Sequence, residues 1–480
     1  MKVFKQLRFY LILILVVSLG YLAYQADVFG MPDKYLILLV LAFITIFTFV
    51  SSIAYQRNKI IQKIGIVLMV ITIGASAYGN TVASQVHDTL KAMEKNAEEK
   101  NVVGYSVIVN KVYDTENGES VPRLQSHKNK AYAVLETGNT TFNRDVIALV
   151  REELGEKIDI IGIRTIEEAE SKLKNDEIQM LIMNEGTRDL FSESLDNFTT
   201  TVKTWEFEND KELIRNPAKV TQEPFIVYIS GIDLYGSLSY VSRSDVNKVV
   251  IINPLSKDVL MIDIPRDYYV PLACFYDEYD KLTHSGIYGV DCTLNTVANF
   301  LDIDINYYAR INFSTFIEVI DAIGGVDVTI DEGFCASEDA GGFCYKEGNQ
   351  TLYGWQALCF ARERQTLPGG DNDRIKNQSK LLKAIIDKVA SPSILNNYSD
   401  LLKILAKNIE TNMSTQDMIS LVQMQLSDMA EWSINSYALD GWGTYANSAV
   451  MGQELYMSIP DDESVAEAKA LIDDIIHRVY

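Results

Sequence analysis

Nineteen residues, Phe360 to Gln378 (FARERQTLPGGDNDRIKNQ), hold three arginines, two aspartates and several amides around a Pro-Gly-Gly break. Arg362 and Arg364 flank Glu363, so an extended backbone would point both guanidinium groups one way and the carboxylate the other. Asp371, Arg374 and Gln378 follow at i, i+3 and i+7. They share one face of a helix whose apolar side is continued by Leu381, Leu382, Ile385 and Ile386. Guanidinium groups suit phosphate because they are planar, always charged and able to hold two oxygens at once. Taken alone, such a run reads equally well as a solvated surface with local ion pairs.

A second stretch tips the balance toward an anion site. Between Tyr228 and Tyr269, the residues Asp233, Arg243, Asp245 and Arg266 fall at the ends of alternating apolar runs, and strand ends are where open α/β sheets place their sites. Asp233 and Asp245 suit a divalent cation, because carboxylates beside phosphate oxygens fit Mg2+; isolated aspartates in turns also serve as caps. Arg266 follows Pro265, where a strand delivers it. Lys281, in the expected loop DKLTHSGIYG, could reach a phosphate or remain a solvated lysine. No GxxxxGK[ST], GxGxxG, GxSxG or HExxH run occurs, so the logic is not that of a P-loop, Rossmann, hydrolase-elbow or zincin site.

These residues need strands and helices to position them. FIVYISGID, NKVVIINP and DVLMIDIP read as buried strands, Cys292 to Leu301 and Ser314 to Ile323 as helices, and YYARINF and VDVTID as strands. Long helices are expected at Asp371 to Val389, Leu401 to Glu410 and Thr415 to Glu431, followed by a late strand SINSYALDG and a closing helix Val465 to Val479. Upstream, VVGYSVIVN, AYAVLE, IDIIGIRT, EIQMLIMN and TVKTWEFE alternate with helical pieces at Arg144 to Leu154 and Ile166 to Lys174, the pattern of a small α/β domain. Glu152, Glu153 and Glu156 read as a solvated helix face.

The 480 residues carry a formal charge of −22, split into +5 over residues 1–79 and −27 beyond. So acidic a remainder repels nucleic acid. Three apolar segments, Phe9 to Tyr24, Tyr35 to Tyr55 and Ile64 to Tyr78, have lengths that fit membrane spans; the first alone could be a signal peptide. Lys2, Lys5, Arg8, Arg57, Lys59 and Lys63 place the N-terminus in the cytoplasm and residues from about 80 onward outside. A polar helix from Thr81 to Lys100 is expected to follow as a stalk or packing helix. All five cysteines fall in the outer portion, where oxidation is permitted. Cys335 could pair with Cys344 and Cys274 with Cys292, leaving Cys359 as a buried thiol. The four histidines are scattered, which argues against zinc. The expected organisation is α/β throughout: a membrane anchor with three transmembrane helices (1–79), an accessory α/β domain (80–222), and a larger α-β-α domain around a central mixed sheet (223–480).

Residues 224 to about 440 resemble the LytR-CpsA-Psr family of cell-envelope phosphotransferases, and the three spans with an accessory domain resemble its streptococcal CpsA-type members. GIDLYG, SRSDV, DIPRD, DKLTHSGIYG, GGVDV and LYGWQALCFARERQTLPGGDNDRIKNQ carry the resemblance. It implies that Arg243, Arg266, Arg362, Arg364, Arg374 and Gln378 hold the pyrophosphate head group of a polyprenyl-linked glycopolymer, with Asp371 supporting the arginines. It also implies that Asp233 and Asp245 belong to the Mg2+ and phosphate site. The expected reaction is transfer of a phosphoglycan, of capsular or teichoic acid type, from polyprenyl pyrophosphate to peptidoglycan. Asp233, Arg243, Arg266, Arg362 and Arg364 are its catalytic candidates, and Lys281 joins the head-group set. Two alternatives are a membrane-anchored regulator of envelope genes, for which the cytoplasmic parts offer too little to read bases, and a pyrophosphatase or lipid-binding scaffold.

Overall fold

The computed structural model describes the chain except residues 1, 29–32, 57, 99–100, 112–114, 117–118, 121–123, 125–129, 137–139, 156–157, 192–194, 210–216, 233–242, 276, 392–403, 405–408, 429 and 479–480. It divides into two compact units. One comprises residues 1–96, 388–407 and 413–431 and contains α1 (Lys2–Val28), α2 (Asp33–Ala54) and α3 (Lys59–Glu98). All three are long and apolar enough to cross a membrane. Leu15, Leu19, Val50, Ala54 and Met69 form their buried seam. Ser18 Oγ lies 2.5 Å from Ser76 Oγ, and Asn80 Nδ2 donates to Ser18 O at 3.1 Å, polar contacts of the kind that join helices in lipid. The polar helix expected after the third span is present through Glu98. Helix α3 runs unbroken for 40 residues, because Thr81 to Glu98 has no proline or glycine to stop it.

The second unit holds two sheets. The first is built from β1 (Asn101–Asn110), β2 (Tyr132–Leu135), β3 (Ile160–Ile163), β4 (Met180–Asn184) and β5 (Thr199–Asn209), in the order β3-β2-β4-β1-β5. The helices α4 (Thr140–Leu154) and α5 (Ile166–Lys174) accompany it, and Thr165 caps α5 by accepting from Glu168 N at 3.3 Å. Glu153 on α4 is not simply solvated, since it pairs with Lys203.

The larger sheet is mixed. Its strands are β6 (Phe225–Ile232), β7 (Ser244–Asn253), β8 (Asp258–Ile264), β11 (Tyr307–Asn312), β12 (Glu410–Thr411) and β13 (Ser433–Ala438), ordered β12-β11-β6-β7-β8-β13. The interior strand β8 (DVLMIDI) is buried at every position, its two aspartates included. Beside it, β9 (Tyr269–Pro271) pairs with β10 (Tyr279–Lys281), which leads into the short α6 (Leu282–Ser285). The expected loop at Asp280 to Gly289 is therefore a strand and helical turns. The remaining helices are α7 (Val290–Leu301), α8 (Phe313–Ala322), α9 (Gly354–Arg362), α10 (Asp371–Ala390), α11 (Thr415–Asp428), which belongs to the first unit, and α12 (Asp462–His477). The helix expected over Leu401 to Glu410 falls mostly outside the described residues, and its last residue lies in β12. Near the end of the chain β14 (Gly441–Asn447) and β15 (Glu454–Pro460) form an antiparallel hairpin, and elsewhere Val326–Ile330 pairs with Gly348–Leu352 as a further small ribbon.

One apolar core runs through both sheets. It joins Ile108, Leu135, Ile163 and Leu181 of the first to Ile226, Tyr228, Val249, Ile251 and Ile262 of the second, and extends to Ile472 and Ile475 of α12. Each fully buried leucine or isoleucine there stabilises by about 1.5–3 kcal/mol. Hydrogen bonds reinforce the junction: Ile166 N donates to Val450 O at 3.2 Å and Glu167 N to Met451 O at 3.0 Å. Both expected disulfides are formed, Cys274 with Cys292 and Cys335 with Cys344, and Cys359 is free and buried. The Cys335–Cys344 loop packs on that thiol, and Gly341, at φ 117°, leaves no room for a side chain between them.

Candidate functional site: an arginine-lined cleft at the sheet edge

Strands β7 and β8 are antiparallel, with Asn247 opposite Ile264 and Lys248 opposite Asp263. The start of β7 and the end of β8 therefore meet at one edge of the sheet, bringing Asp245 beside Arg266. Arg266 Nη1 donates to Asp245 Oδ1 at 2.7 Å, and Thr283 Oγ1 donates to the same oxygen at 3.1 Å. Thr283 N in turn donates to Arg266 O at 2.9 Å. The first turn of α10 supplies Arg374, whose Nη2 pairs with Asp371 Oδ1 at 2.7 Å. Gln378, one turn further, donates from Nε2 to Ala361 O at 3.1 Å and so ties α10 to the end of α9. Asp245, Arg266, Arg374 and Gln378 line a small cleft open to solvent, with Lys248 and Asp263 also in its wall.

The polar atoms left over in this cleft are its most informative feature. Arg266 Nε and Arg374 Nε are buried donors without a hydrogen bond, and Asp245 Oδ2 is a buried acceptor without one. Asp267 Oδ2 lies 3.9 Å from Arg266 Nε, beyond hydrogen-bond distance. A buried unmade hydrogen bond costs about 1–3 kcal/mol, more for a charged group, so the folded chain holds donors in readiness for an anion. Burial lowers the pKa of the Arg374 guanidinium, and the neighbouring charges of Arg266 and Arg364 push in the same direction against the pull of Asp371. An incoming phosphate relieves that repulsion. For Arg266 burial acts the same way, but Asp245 and Asp267 outweigh it and hold the group above its usual value.

The other expected residues take distinct places. Lys281 Nζ donates to Asp267 Oδ1 at 2.8 Å. Burial alone would raise that carboxyl, yet Lys281, then Arg266 and Arg374, hold it below its usual value. Arg364 is exposed, and its charge reaches Arg374. Arg362 is the last residue of α9 rather than part of an extended run, and its guanidinium stacks over the Phe313 ring at 4.8 Å. Arg243, half-buried just before β7, has no hydrogen bond or ion pair among the described residues. Asp233 lies outside the described residues.

A buried trio beneath the cleft escapes the sequence reading. Lys248 pairs with Asp263 across the ladder and donates to Ser379 Oγ at 3.0 Å, while Ser379 Oγ donates to Asp263. All three are buried. The available signal is a lysine and an aspartate interrupting the apolar runs NKVVII and MIDI, which pay for burial only as a pair. Asp267 and Thr283 are likewise site neighbours that type and spacing do not single out.

Asp280 is a second buried hub. Its carboxylate accepts from Ser448 Oγ at 2.7 Å, Val450 N at 2.8 Å and Lys281 N at 2.6 Å, and contacts His284 Nδ1 at 2.8 Å. Burial would raise its pKa, but His284 and these donors hold it below the usual carboxylate value. A depressed folded value means stability that is fully present above the unfolded pKa near 3.9 and lost as pH falls through the folded value. The free energy of denaturant unfolding should therefore drop below about pH 4, and Asp280→Asn should flatten that drop. An equally steep acid limb in the variant rules out this contribution.

Among the described residues no group of three His, Cys, Asp or Glu could hold a metal by protein ligands alone. The donor set nonetheless fits Mg2+, which commonly takes one or two carboxylates and completes its shell with substrate phosphate and water; Asp245 Oδ2 is such a free carboxylate oxygen.

Residues 192–469 match the LytR_cpsA_psr family. The polyisoprenyl-teichoic acid–peptidoglycan teichoic acid transferase TagU of Bacillus mycoides is 36% identical over 206 residues, which are 42% of this chain and 66% of that protein. The TagU of Bacillus licheniformis is 30% identical over 257 residues, covering 53% of this chain and 79% of that protein. Among solved structures, B. subtilis TagV aligns with a TM-score of 0.46 at 28% identity, over 54% of this chain and 99% of that one. The match thus spans just under two thirds of the B. mycoides relative's length.

Proposed function

The chain belongs to the LytR_cpsA_psr family, and from that premise we propose that it transfers a phosphate-linked glycopolymer from a polyprenyl diphosphate carrier to peptidoglycan. The observation that carries this reading is the pair of buried, unpartnered guanidinium donors, Arg266 Nε and Arg374 Nε, facing one cleft. The printed names of the TagU relatives describe the same class of reaction. Phosphoryl transfer is catalysed chiefly by positioning and charge stabilisation, and a cleft lined by Arg266 and Arg374, with Asp245 and Asp371 holding them and Lys281 paired to Asp267 nearby, supplies both.

In this reading Arg266 and Arg374 grip the diphosphate, Gln378 lies in the cleft wall beside them, and Lys281 with Asp267 fixes the rim. Arg243, Arg362 and Arg364 approach from the borders. The acceptor hydroxyl oxygen forms a bond to the glycan-side phosphorus as the bond from that phosphorus to the bridging oxygen breaks, and polyprenyl phosphate leaves. The hydroxyl proton passes to a carboxylate, for which Asp233 is the candidate. Asp245, together with Asp233, would hold Mg2+, which would neutralise part of the diphosphate charge. The three apolar helices anchor the protein in the membrane, and the lysines and arginines around the first two place the N-terminus inside and the catalytic unit outside.

The test follows a labelled glycan from polyprenyl diphosphate. Label appearing on peptidoglycan, and its loss in Arg266→Ala with polyprenyl diphosphate binding weakened, supports transfer. Label released only into solution assigns the cleft to hydrolysis instead.

A further inference from the structure

One face of the hairpin β14–β15 exposes Gly441, Gly443, Tyr445 and Asn447 on one strand and Glu454 and Tyr456 on the other, with Ser458 and Pro460 half-buried at its far end. The opposite face is mostly covered, with Met457 fully buried and Leu455 packed on the main core, while Trp442 at its end is a lone exposed ring. Tyr445 and Tyr456 are directly cross-strand, with ring centroids 6.2 Å apart, yet they are 71% and 50% exposed. Two aromatic rings left open to water on a rigid, inwardly packed hairpin form a ligand-facing feature rather than a core defect. Gly443 makes the arrangement possible. A Cβ there would come within 2.6 Å of Tyr456 Cε2, so only glycine lets that ring lie across the strand.

The hairpin is joined directly to the arginine cleft. Ser458 N donates to Asp267 O at 2.8 Å, one residue past Arg266, and Tyr269 Oη donates to Asn447 O at 3.1 Å. Tyr456 stands two residues from Ser458, about 7 Å along an extended strand. The surrounding charge restricts what the rings can bind. From Ser433 to Glu463 the sequence has no lysine or arginine, against Asp440, Glu454, Asp461, Asp462 and Glu463. Such a surface repels a polyanion and offers nothing to anionic lipid head groups. An uncharged sugar polymer is not repelled, and the C–H faces of pyranose rings stack on aromatic rings while their hydroxyls stay in water.

We propose that the Tyr445–Tyr456 face of this hairpin binds the uncharged glycan strand of the acceptor and holds its hydroxyl beside the arginine cleft. This rests on the transfer reading for the acceptor's identity, but the binding itself can be measured separately. The probe is a peptide-free oligosaccharide of β-1,4-linked N-acetylglucosamine, titrated calorimetrically against the full chain in detergent. The double variant Tyr445→Ala/Tyr456→Ala should bind it about tenfold more weakly, with unchanged thermal unfolding and unchanged affinity for polyprenyl diphosphate. Tyr445→Phe/Tyr456→Phe should retain binding, because stacking needs the ring and not the hydroxyl. Trp442→Ala, on the other face of the hairpin, should leave it intact.

No oligosaccharide binding by the parent chain, undiminished binding by the double alanine variant, or an equal loss in Trp442→Ala would each overturn the proposal. So would a double variant whose only defect is in binding phosphatidylglycerol vesicles, since that outcome assigns the tyrosines to the membrane surface. If the parent chain fails to bind polyprenyl diphosphate while still binding the oligosaccharide in a Tyr445- and Tyr456-dependent way, the transfer reading falls and the glycan platform stands.

Discussion

Arg374→Ala is expected to slow transfer by about 30- to 1,000-fold, equivalent to about 2–4 kcal/mol of lost transition-state stabilisation, the scale of one preorganised charged donor. Arg374 is buried, its Nε has no hydrogen-bond partner in the folded chain, and its charge is opposed by burial and by two other arginines. Asp371 offsets part of that cost within the protein, and a bound anion would offset the remainder. Arg374→Lys should recover little, because a point charge cannot make the two parallel contacts of a guanidinium. Initial rates of glycan transfer on membranes or in micelles measure this, with a thermal melt to confirm that Asp371, left without its partner, has not unfolded the site. A folded Arg374→Ala protein with parental rates would remove the arginine cleft from the mechanism.

The second large effect is on stability. Lys248→Met should cost about 3–5 kcal/mol, because it leaves the Asp263 carboxylate buried and uncompensated. Asp263→Leu should cost a similar amount through the stranded lysine. Lys248→Met combined with Asp263→Leu and Ser379→Ala should return most of the loss, since an apolar replacement of the whole trio removes every orphaned group. Denaturant unfolding of the four proteins measures the coupling. Additive losses would mean that the pair is not the unit it appears to be from its contacts. Ser379 is the residue after Gln378, so the same trio holds α10, and with it Arg374, against the sheet.

The elements most legible in the sequence are those where local pattern and tertiary role agree. Helix α5 begins and ends at Ile166 and Lys174 as its capping threonine and apolar spacing indicate. The runs around Val249, Leu260 and Tyr308 are strands because nothing but a sheet interior accepts them. Both disulfides join cysteines close in sequence, 18 and 9 residues apart, and that spacing makes the partners readable. Arg362 misled because two flanking arginines suggest an extended chain, whereas α9 extends through it and the side chain finds Phe313. The hairpin β14–β15 went unnoticed since its glycines dilute the alternation that marks a strand. Lys248 and Asp263 are 15 residues apart in sequence, and only the antiparallel register makes them neighbours. The unpartnered donors of the cleft were beyond reach for a similar reason, because a missing hydrogen bond is a property of packing that residue types do not encode.

The apolar interior common to the two sheets carries one more implication. A residue that grows or shrinks within this shared interior disturbs a single close-packed cluster to which both sheets contribute, so the smaller sheet is a source of mechanical support for the larger one as well as a domain in its own right.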